Sequence, residues 1–251
     1  MRRIALLIGN SDGLEGVKID LVEWEKFLIS PIGGAWKPNE ITMFMNPQKC
    51  ELLNYINEIR KTKAYDFAIV VYSGHGGYDR NTILEINEQE ESIDETDLYS
   101  IAPRQISVFD CCRSLVDGSE PINESQRTFS SGGILPNLQK IRNAYNQRIM
   151  QAIPQQICLY ACSIGEMALD TENGALYIQT LLRQAKLFPN NEEFRTVEEI
   201  HKEASELTRT KGLFKKHTQH PAASLPKCLT RQKLTLSINP ELILSINPNM
   251  I

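Results

Sequence analysis

Long apolar runs are missing from this 251-residue chain. No stretch reaches the roughly 18 apolar residues that a membrane-crossing helix needs. The start, Met1-Arg2-Arg3-Ile4-Ala5-Leu6-Leu7-Ile8, has the charge order of a secretion signal, but its apolar part is too short and breaks at Gly9-Asn10. No leader and no membrane partner are therefore expected, and the expected location is the cytoplasm. Histidine is scarce, with four copies, and the six cysteines (positions 50, 111, 112, 158, 162 and 228) contain no Cys-x-x-Cys pair. That argues against a zinc site, and the length argues against a disulfide-stapled scaffold. An excess of charge of one sign is also missing: the net charge is −4 and the pI about 5.7. Nothing in that balance calls for a nucleic-acid partner. No Gly-x-Gly-x-x-Gly or P-loop follows a strand, which disfavours a flavodoxin-like nucleotide binder. The acidic stretch Glu88–Thr96 lacks the spaced aspartates of a calcium loop and reads as a solvated loop. No metal and no cofactor are expected.

What remains is an ordinary globular composition, 41% apolar and 23% charged, in a chain long enough to bury a substantial core. Short apolar runs at 3–8, 41–45, 66–72, 105–109 and 156–160 predict strands, the first of them central. Between them lie helical patterns. Val17, Leu21, Trp24 and Leu28 share one face before Pro31, and Leu53, Ile56 and Ile59 share another. Residues 82–86 predict an edge strand or half a hairpin, and 97–101 a short helical turn. Leu138 to Ile153 reads as a helix inside the long polar segment 115–154. A further helix opens after Asn173-Gly174. The last one starts at Val197, with Thr196 and Glu199 as a capping box. After Lys211-Gly212 the pattern is irregular, and Leu-Ser-Ile-Asn-Pro occurs twice, at 236–240 and 244–248. Alternating strands and helices predict an α/β fold, a mostly parallel central sheet covered by helices on both faces.

Two strands end in reactive tips. Phe67–Tyr72 runs into Ser73-Gly74-His75-Gly76-Gly77, and 37 residues beyond the histidine Ile106–Phe109 has run into Asp110-Cys111-Cys112-Arg113-Ser114. Ligands of open parallel sheets sit at the carboxyl ends of strands, where both tips lie. Amide cleavage by cysteine needs a thiolate, a histidine to carry the proton and donors for the oxyanion. His75 between glycines supplies the base, and the N–H groups of Gly76 and Cys112 are natural oxyanion donors. Arg113 is a cation that would favour a neighbouring thiolate. Cys111 and Cys112 point to opposite sides of an extended chain, so only one faces His75; spacing does not choose between them. Cys162 is the strongest rival nucleophile, but no glycine-flanked base accompanies it. Cys50, Cys158 and Cys228 read as packing residues. His201 reads as solvated, and His217 and His220 as parts of a basic tail.

Ser73-Gly74-His75-Gly76 and Asp110-Cys111-Cys112-Arg113-Ser114 resemble the two signature tips of caspase and metacaspase cysteine peptidases. In metacaspases the second reads Asp-Ser-Cys-His-Ser-Gly; in caspases it reads Gln-Ala-Cys-Arg-Gly. Ala5–Asn10 with Leu14, Gly16 and Asp20, then Tyr160-Ala161-Cys162 with Gly165, Glu166 and Ala168, and Gly174-Ala175-Leu176 add weaker likenesses in the right order over about 3–187, especially to bacterial members.

The resemblance implies a three-layer caspase-like fold, one peptidase domain over 1–251. Residues 1–114 would form a large-subunit-like half, 115–154 a linker and 155–251 a small-subunit-like half. It implies a thiol peptidase acting on proteins or peptides, with Cys112 as nucleophile and His75 as base. Asp110, two residues before the nucleophile, stands where metacaspases bind a basic P1 side chain, so cleavage after Arg or Lys is expected. The chain also departs from the family. The His–Cys interval is shorter than the roughly 50 residues of caspases, and no arginine-bearing turn occupies 11–15. The second pocket acid expected near Ile164-Gly165 is missing, unless Glu166 or an acidic loop replaces it. Self-cleavage at Arg127, Lys140, Arg142 or Arg148 in the linker, a separate activator protein and a bacterial defence or cell-death role are further expectations. The competing reading is a catalytically inactive caspase-fold scaffold.

Overall fold

In the computed structural model, which describes residues 1–115 and 137–245, all seven residues of β1 (Arg3–Gly9) are buried. An apolar strand without alternation needs protein on both faces, and a central parallel strand has it. Ile4, Leu6 and Ile8 face one apolar layer, while Ala5 and Leu7 face the other. Helix α1 (Gly16–Ile29) follows and buries Val17, Leu21, Trp24 and Leu28, the predicted face. Strand β2 (Ile41–Met45) then pairs with β1 in parallel. Helix α2 (Lys49–Thr62) buries Leu52, Ile56 and Ile59, with Leu53 at the margin. Strand β3 (Phe67–Ser73) is buried throughout and pairs with the other edge of β1. The chain thus winds away from β1 in both directions. That reversal opens a crevice at the carboxyl ends of β1 and β3.

A small antiparallel sheet comes next: β4 (Gly76–Asp79), β5 (Asn81–Glu85) and β6 (Ser92–Asp94). The acidic stretch is therefore not a plain solvated loop. It contributes β6, a 3-10 turn at Glu95–Leu98, and a buried carboxylate. Glu95 is only 4% exposed. Its Oε1 accepts the Thr82 N–H (2.9 Å), and its Oε2 accepts the hydroxyls of Tyr99 (3.0 Å) and Tyr160 (2.7 Å). Strand β7 (Arg104–Asp110) returns to the main sheet beside β3.

Helix α3 (Leu138–Gln151) lies within the expected linker; residues 116–136, including Arg127, fall outside the described residues. Lys140, Arg142 and Arg148 are helical. Arg142 pairs with Glu40, and Arg148 donates to the carbonyls of Thr230 and Arg231. Strand β8 (Gln155–Tyr160) pairs with β7 in parallel, so both halves of the chain share one sheet. Helix α4 (Leu176–Ala185), strand β9 (Phe194–Thr196) and helix α5 (Val197–Phe214) follow. The Thr196–Glu199 capping box is present as predicted.

The tail is more ordered than its composition implies. Helix α5 continues through Lys211-Gly212, and glycine is required there because the His217 carbonyl sits 2.8 Å from where a side chain would begin. Strand β10 (Ala222–Ser224) adds antiparallel to β8. Strand β11 (Thr235–Ile238) pairs with β9, and helix α6 (Pro240–Ser245) ends the described chain. The first Leu-Ser-Ile-Asn-Pro copy is thus β11 running into α6; most of the second lies outside the described residues. The six-stranded sheet runs β10-β8-β7-β3-β1-β2 and is parallel except at β10. Apolar residues of α1, α3, α4 and α5 cover one face, and those of α2 with β5 and β6 cover the other.

Glu95 joins the small sheet to β8, and removing it strands a buried N–H and two hydroxyls. Unsatisfied buried groups cost about 1–3 kcal/mol each, less what water recovers. Glu95→Ala is expected to lower unfolding free energy by about 2–4 kcal/mol, read as the urea midpoint by circular dichroism. A loss under about 0.5 kcal/mol, the level of a neutral surface change, would contradict the role assigned to this carboxylate.

Candidate active site

His75 leaves β3 through Gly74, whose φ of 153° and tight surroundings exclude a side chain. A Cβ there would lie 2.9 Å from Asn10 Cβ and from the Tyr72 hydroxyl oxygen. The Gly74 N–H donates to the Asp110 carbonyl (3.1 Å), which ties the His75 tip to the end of β7. Tyr72 hydroxyl donates to the His75 carbonyl (2.5 Å) and also contacts the Glu85 carbonyl. Nε2 of His75 lies 2.5 Å from the Asp12 carbonyl oxygen. A carbonyl only accepts, so Nε2 carries a proton in this contact, and Nδ1 is the ring nitrogen left for proton transfer.

Cys112 follows β7 and is half-buried, while Cys111 is 2% exposed and joins the apolar layer on the α2 side. Cys111 also packs under Gly76: a side chain at Gly76 would meet its Sγ at 2.9 Å and the Ile83 carbonyl at 2.6 Å. The glycine after the histidine is therefore demanded by space. His75 and Cys112 line one cavity of about 240 Å³, with Asp110, Asp170, Met167 and Leu14 among its other walls. Cys112 Sγ is 3.9 Å from the Ala168 carbonyl. Burial pushes its thiol pKa up, and the charges of Asp110 and Glu85 add to that. The resting group is a neutral thiol.

Arg113 does not stand beside it as a thiolate-stabilising cation. Its guanidinium stacks on the Tyr160 ring at 4.0 Å and the Tyr78 ring at 5.3 Å, and its Nε donates to Thr82 (3.1 Å). Cys162 is fully buried, with its thiol aimed at the carbonyls of Cys111 and Glu166, so it is inaccessible as a nucleophile. Of the cysteines read as packing, Cys158 is buried, Cys50 is exposed and Cys228 is half-buried.

The edge of β4 faces the segment that carries Cys112. Glu85 N–H donates to the His75 carbonyl (3.2 Å), so strand alternation makes Gly76 and Leu84 the non-hydrogen-bonded pair. The Gly76 N–H then points away from β5, on the same edge as the Tyr78 N–H, which donates to the Ser114 carbonyl (3.0 Å). Among the described residues the Cys112 N–H has no acceptor.

Two aspartates, Asp110 and Asp170, line the cavity, and a third, Asp20, lies close to Asp110 outside that lining. Asp110 is buried, accepts the Ile178 N–H (3.1 Å), and has its pKa pushed up to about 8 by burial, with the Asp170 charge adding. Asp20 is fully buried; its carboxylate accepts the Ser73 hydroxyl (2.6 Å) and the Ala175 N–H (2.9 Å). Burial, then the charge of Asp110, raises its pKa well above the usual range. Asp170 accepts the N–H groups of Gly16 (3.3 Å) and Thr171 (3.0 Å); burial raises its pKa, against the opposing charge of His75. Glu166, the expected substitute acid, instead binds His220 Nδ1 (2.6 Å) and the His220 N–H (2.8 Å). Asp170 carries no sequence signal of its own, and Asp20 is marked only as one of the weaker family likenesses, with no role attached.

His217 lines the cavity and contacts the Met167 carbonyl (2.9 Å). His201 is buried rather than solvated: it meets the Tyr177 hydroxyl at 2.7 Å, and burial lowers its pKa to about 4. Among the described residues no group of three or more His, Cys, Asp or Glu side chains is placed to hold a metal ion.

The caspase-domain family model matches residues 2–230, and the chain belongs to that family, whose members are cysteine peptidases. The crystal structure of caspase-1 from Spodoptera frugiperda has the same fold: TM-score 0.58 at 13% identity, over 89% of this chain and 86% of that one. No curated protein sequence matches this chain. Among the described residues no helix is long and apolar enough to cross a membrane.

Asp110 generates a pH prediction. Its folded pKa of about 8 lies above the unfolded value of about 3.9. Between those values the native state keeps a proton that the unfolded chain has released, so stability falls as pH rises and levels off above about 8. Calorimetric Tm is expected to drop between pH 5 and 8, and Asp110→Asn to make that drop shallower. Equal slopes for the two proteins would mean that Asp110 is already ionised at pH 5.

Proposed function

We propose that this chain is a cysteine endopeptidase working through His75 and Cys112 and cleaving after Arg or Lys. The observation that carries the reading is their shared cavity: Nε2 of His75 is engaged by the Asp12 carbonyl, and Asp110 lies in the same cavity wall. The Cys112 thiol gives its proton to Nδ1 as the sulfur attacks the scissile carbonyl carbon. The resulting oxyanion is held by the N–H groups of Gly76 and Cys112. Collapse expels the amine, which takes the proton from His75 and leaves a thioester on Cys112. Water, deprotonated by His75, then releases the acid and restores the thiol.

Asp110, with Asp20 behind it and Asp170 at the rim, supports a cationic P1 side chain. Mutually repelling carboxyl groups gain most from a guanidinium that neutralises them, and an aspartate at P1 would add to the repulsion. The raised pKa values of Cys112 and Asp110 describe a cleft that is unready without substrate. That suits control by a separate activator protein in the cytoplasm, and bacterial defence or cell death is the setting we assign. Self-cleavage at one of the basic residues of the 115–154 linker is part of this reading; Lys140, Arg142 and Arg148 sit in α3 and would have to leave it to be cut.

Fluorogenic peptides with Arg, Lys or Asp at P1 test this reading, with and without candidate activators. Turnover is expected for Arg and Lys only. Cys112→Ala and His75→Ala should each lower kcat/KM by about 10³-fold or more. Asp110→Asn should lower kcat/KM for Arg at least tenfold. KM for the Arg peptide should fall as pH rises towards 8, where Asp110 ionises. Asp-only turnover would overturn the specificity, and no turnover of any peptide would favour the scaffold reading. Intact mass after incubation gives a separate check on self-cleavage: wild type should be cut after a basic residue of the linker and Cys112→Ala should stay whole; identical, uncut masses would remove self-cleavage.

A further inference from the structure

A second concavity of about 710 Å³ lies between α1 and α4, behind the aspartates of the cleft. Ile178 and Leu182 form its floor, and Ile19, Val22 and the 47%-exposed Leu187 form its apolar shoulders. Its rim is basic. Lys18 and Lys26 stand on α1, Arg183 on α4 and Lys186 just past its end, all exposed. Lys26 pairs with Glu23 (2.8 Å), whereas Lys18, Arg183 and Lys186 have no acidic partner among the described residues. Lys211 of α5 adds to the positive field at Arg183. A cationic patch of this kind on a chain of net charge −4 is not a consequence of composition.

Shape and charge select the occupant. Helix α1 is about 21 Å long and α4 about 15 Å, at 1.5 Å per residue, so the trough they form matches a few turns of a third helix. An apolar floor between two basic rims fits apolar side chains at i, i+3 and i+4 flanked by carboxylates. A nucleic-acid backbone would meet the rims but leave the floor unfilled. We propose that an amphipathic acidic helix of a partner protein docks between α1 and α4 and acts on the specificity pocket through Asp20 and Ile178. Both residues line the groove. Asp20 holds Ser73 and the start of α4, and the Ile178 N–H holds Asp110. A helix wedged here therefore shifts the two carboxylates relative to each other. The docking stands on the groove alone, whereas its effect on cleavage rests on the peptidase reading above.

The test is a selection. A displayed library of 15-residue helical peptides is panned on the full chain and counter-selected on the K18E/K26E/R183E/K186E variant. All four side chains are exposed, so the variant should keep its circular dichroism, with Tm lowered by a few degrees at most through loss of the Lys26–Glu23 pair and of the basic charges at the two helix ends. The expected winners carry an apolar i, i+3, i+4 face bordered by Asp and Glu. They should bind wild type at least tenfold more tightly than the variant, weaken with added salt, and change KM for an Arg-P1 peptide. Winners without that pattern, or winners indifferent to the four reversals, overturn the proposal. So does a single-stranded oligonucleotide, or a second copy of the chain, proving to be the species whose binding the reversals abolish. Peptides that bind as expected to a chain without peptidase activity would refute the peptidase reading and leave the docking intact. Activity without any discriminating peptide would refute the docking alone.

Discussion

Around the cleft, the chain is organised by the need to satisfy one buried carboxyl group. Asp20 sits on the inward face of α1, where an apolar residue would be ordinary, and accepts from Ser73 at the end of β3 and from Ala175 at the start of α4. Three elements distant in sequence are joined at one carboxylate. The local backbone follows from it. A Cβ at Gly174 would lie 2.3 Å from Asp20 Oδ1, and the residue has a φ of 101°, so only glycine serves there. From the same turn α4 delivers the Ile178 N–H to Asp110. Burial of two neighbouring carboxyl groups is tolerated because each has a donor and neither is forced to ionise.

The Cys112 tip is held by a second chain of contacts, running outward from Glu95. That carboxylate orients the Tyr160 hydroxyl, and the Tyr160 ring carries the Arg113 guanidinium. The Arg113 backbone is clamped as well, since its N–H donates to the Glu166 carbonyl (2.9 Å) and its carbonyl accepts from Gly165 (2.8 Å). Cys112 is thus preceded by a strand and followed by a fixed residue, which settles which way its side chain turns. A charged residue beside a cysteine invites an electrostatic explanation; here the charge faces aromatic rings, and its service to Cys112 is positional.

Local signals were legible where a single element carries them. The five strands of the apolar runs, the α1 face, the Thr196 cap and the two glycine- and cysteine-bearing tips follow from periodicity and turn chemistry; that β2 is a half-exposed edge strand while the other four are buried does not, because it depends on sheet order. Signals that depend on tertiary partners were not. Asp12 contributes through its carbonyl, which no side-chain pattern reports. Asp170 and Glu95 look like surface acids until distant N–H and O–H groups are brought to them, and Asp20 stands out only through the family likeness, which says nothing of its partners. His201 carries charged neighbours in sequence but packs against Tyr177 in space. The tail strands β10 and β11 are short, and they pair with β8 and β9 laid down earlier in the chain, so their own composition had little to show.

In the mechanism we propose, specificity and chemistry are coupled in this cleft through charge. Burial already disfavours the Cys112 thiolate, and an ionised Asp110 disfavours it further. A pocket that simply lost its proton would become a better receptor and leave a worse nucleophile beside it. A cationic P1 side chain resolves that conflict: it favours ionised Asp110 and cancels the field that Asp110 exerts on the sulfur. A neutral side chain of similar length would fill the space and cancel nothing. The cost of a wrong P1 residue then falls on the attack step as well as on binding, so discrimination is expressed in kcat and not only in KM.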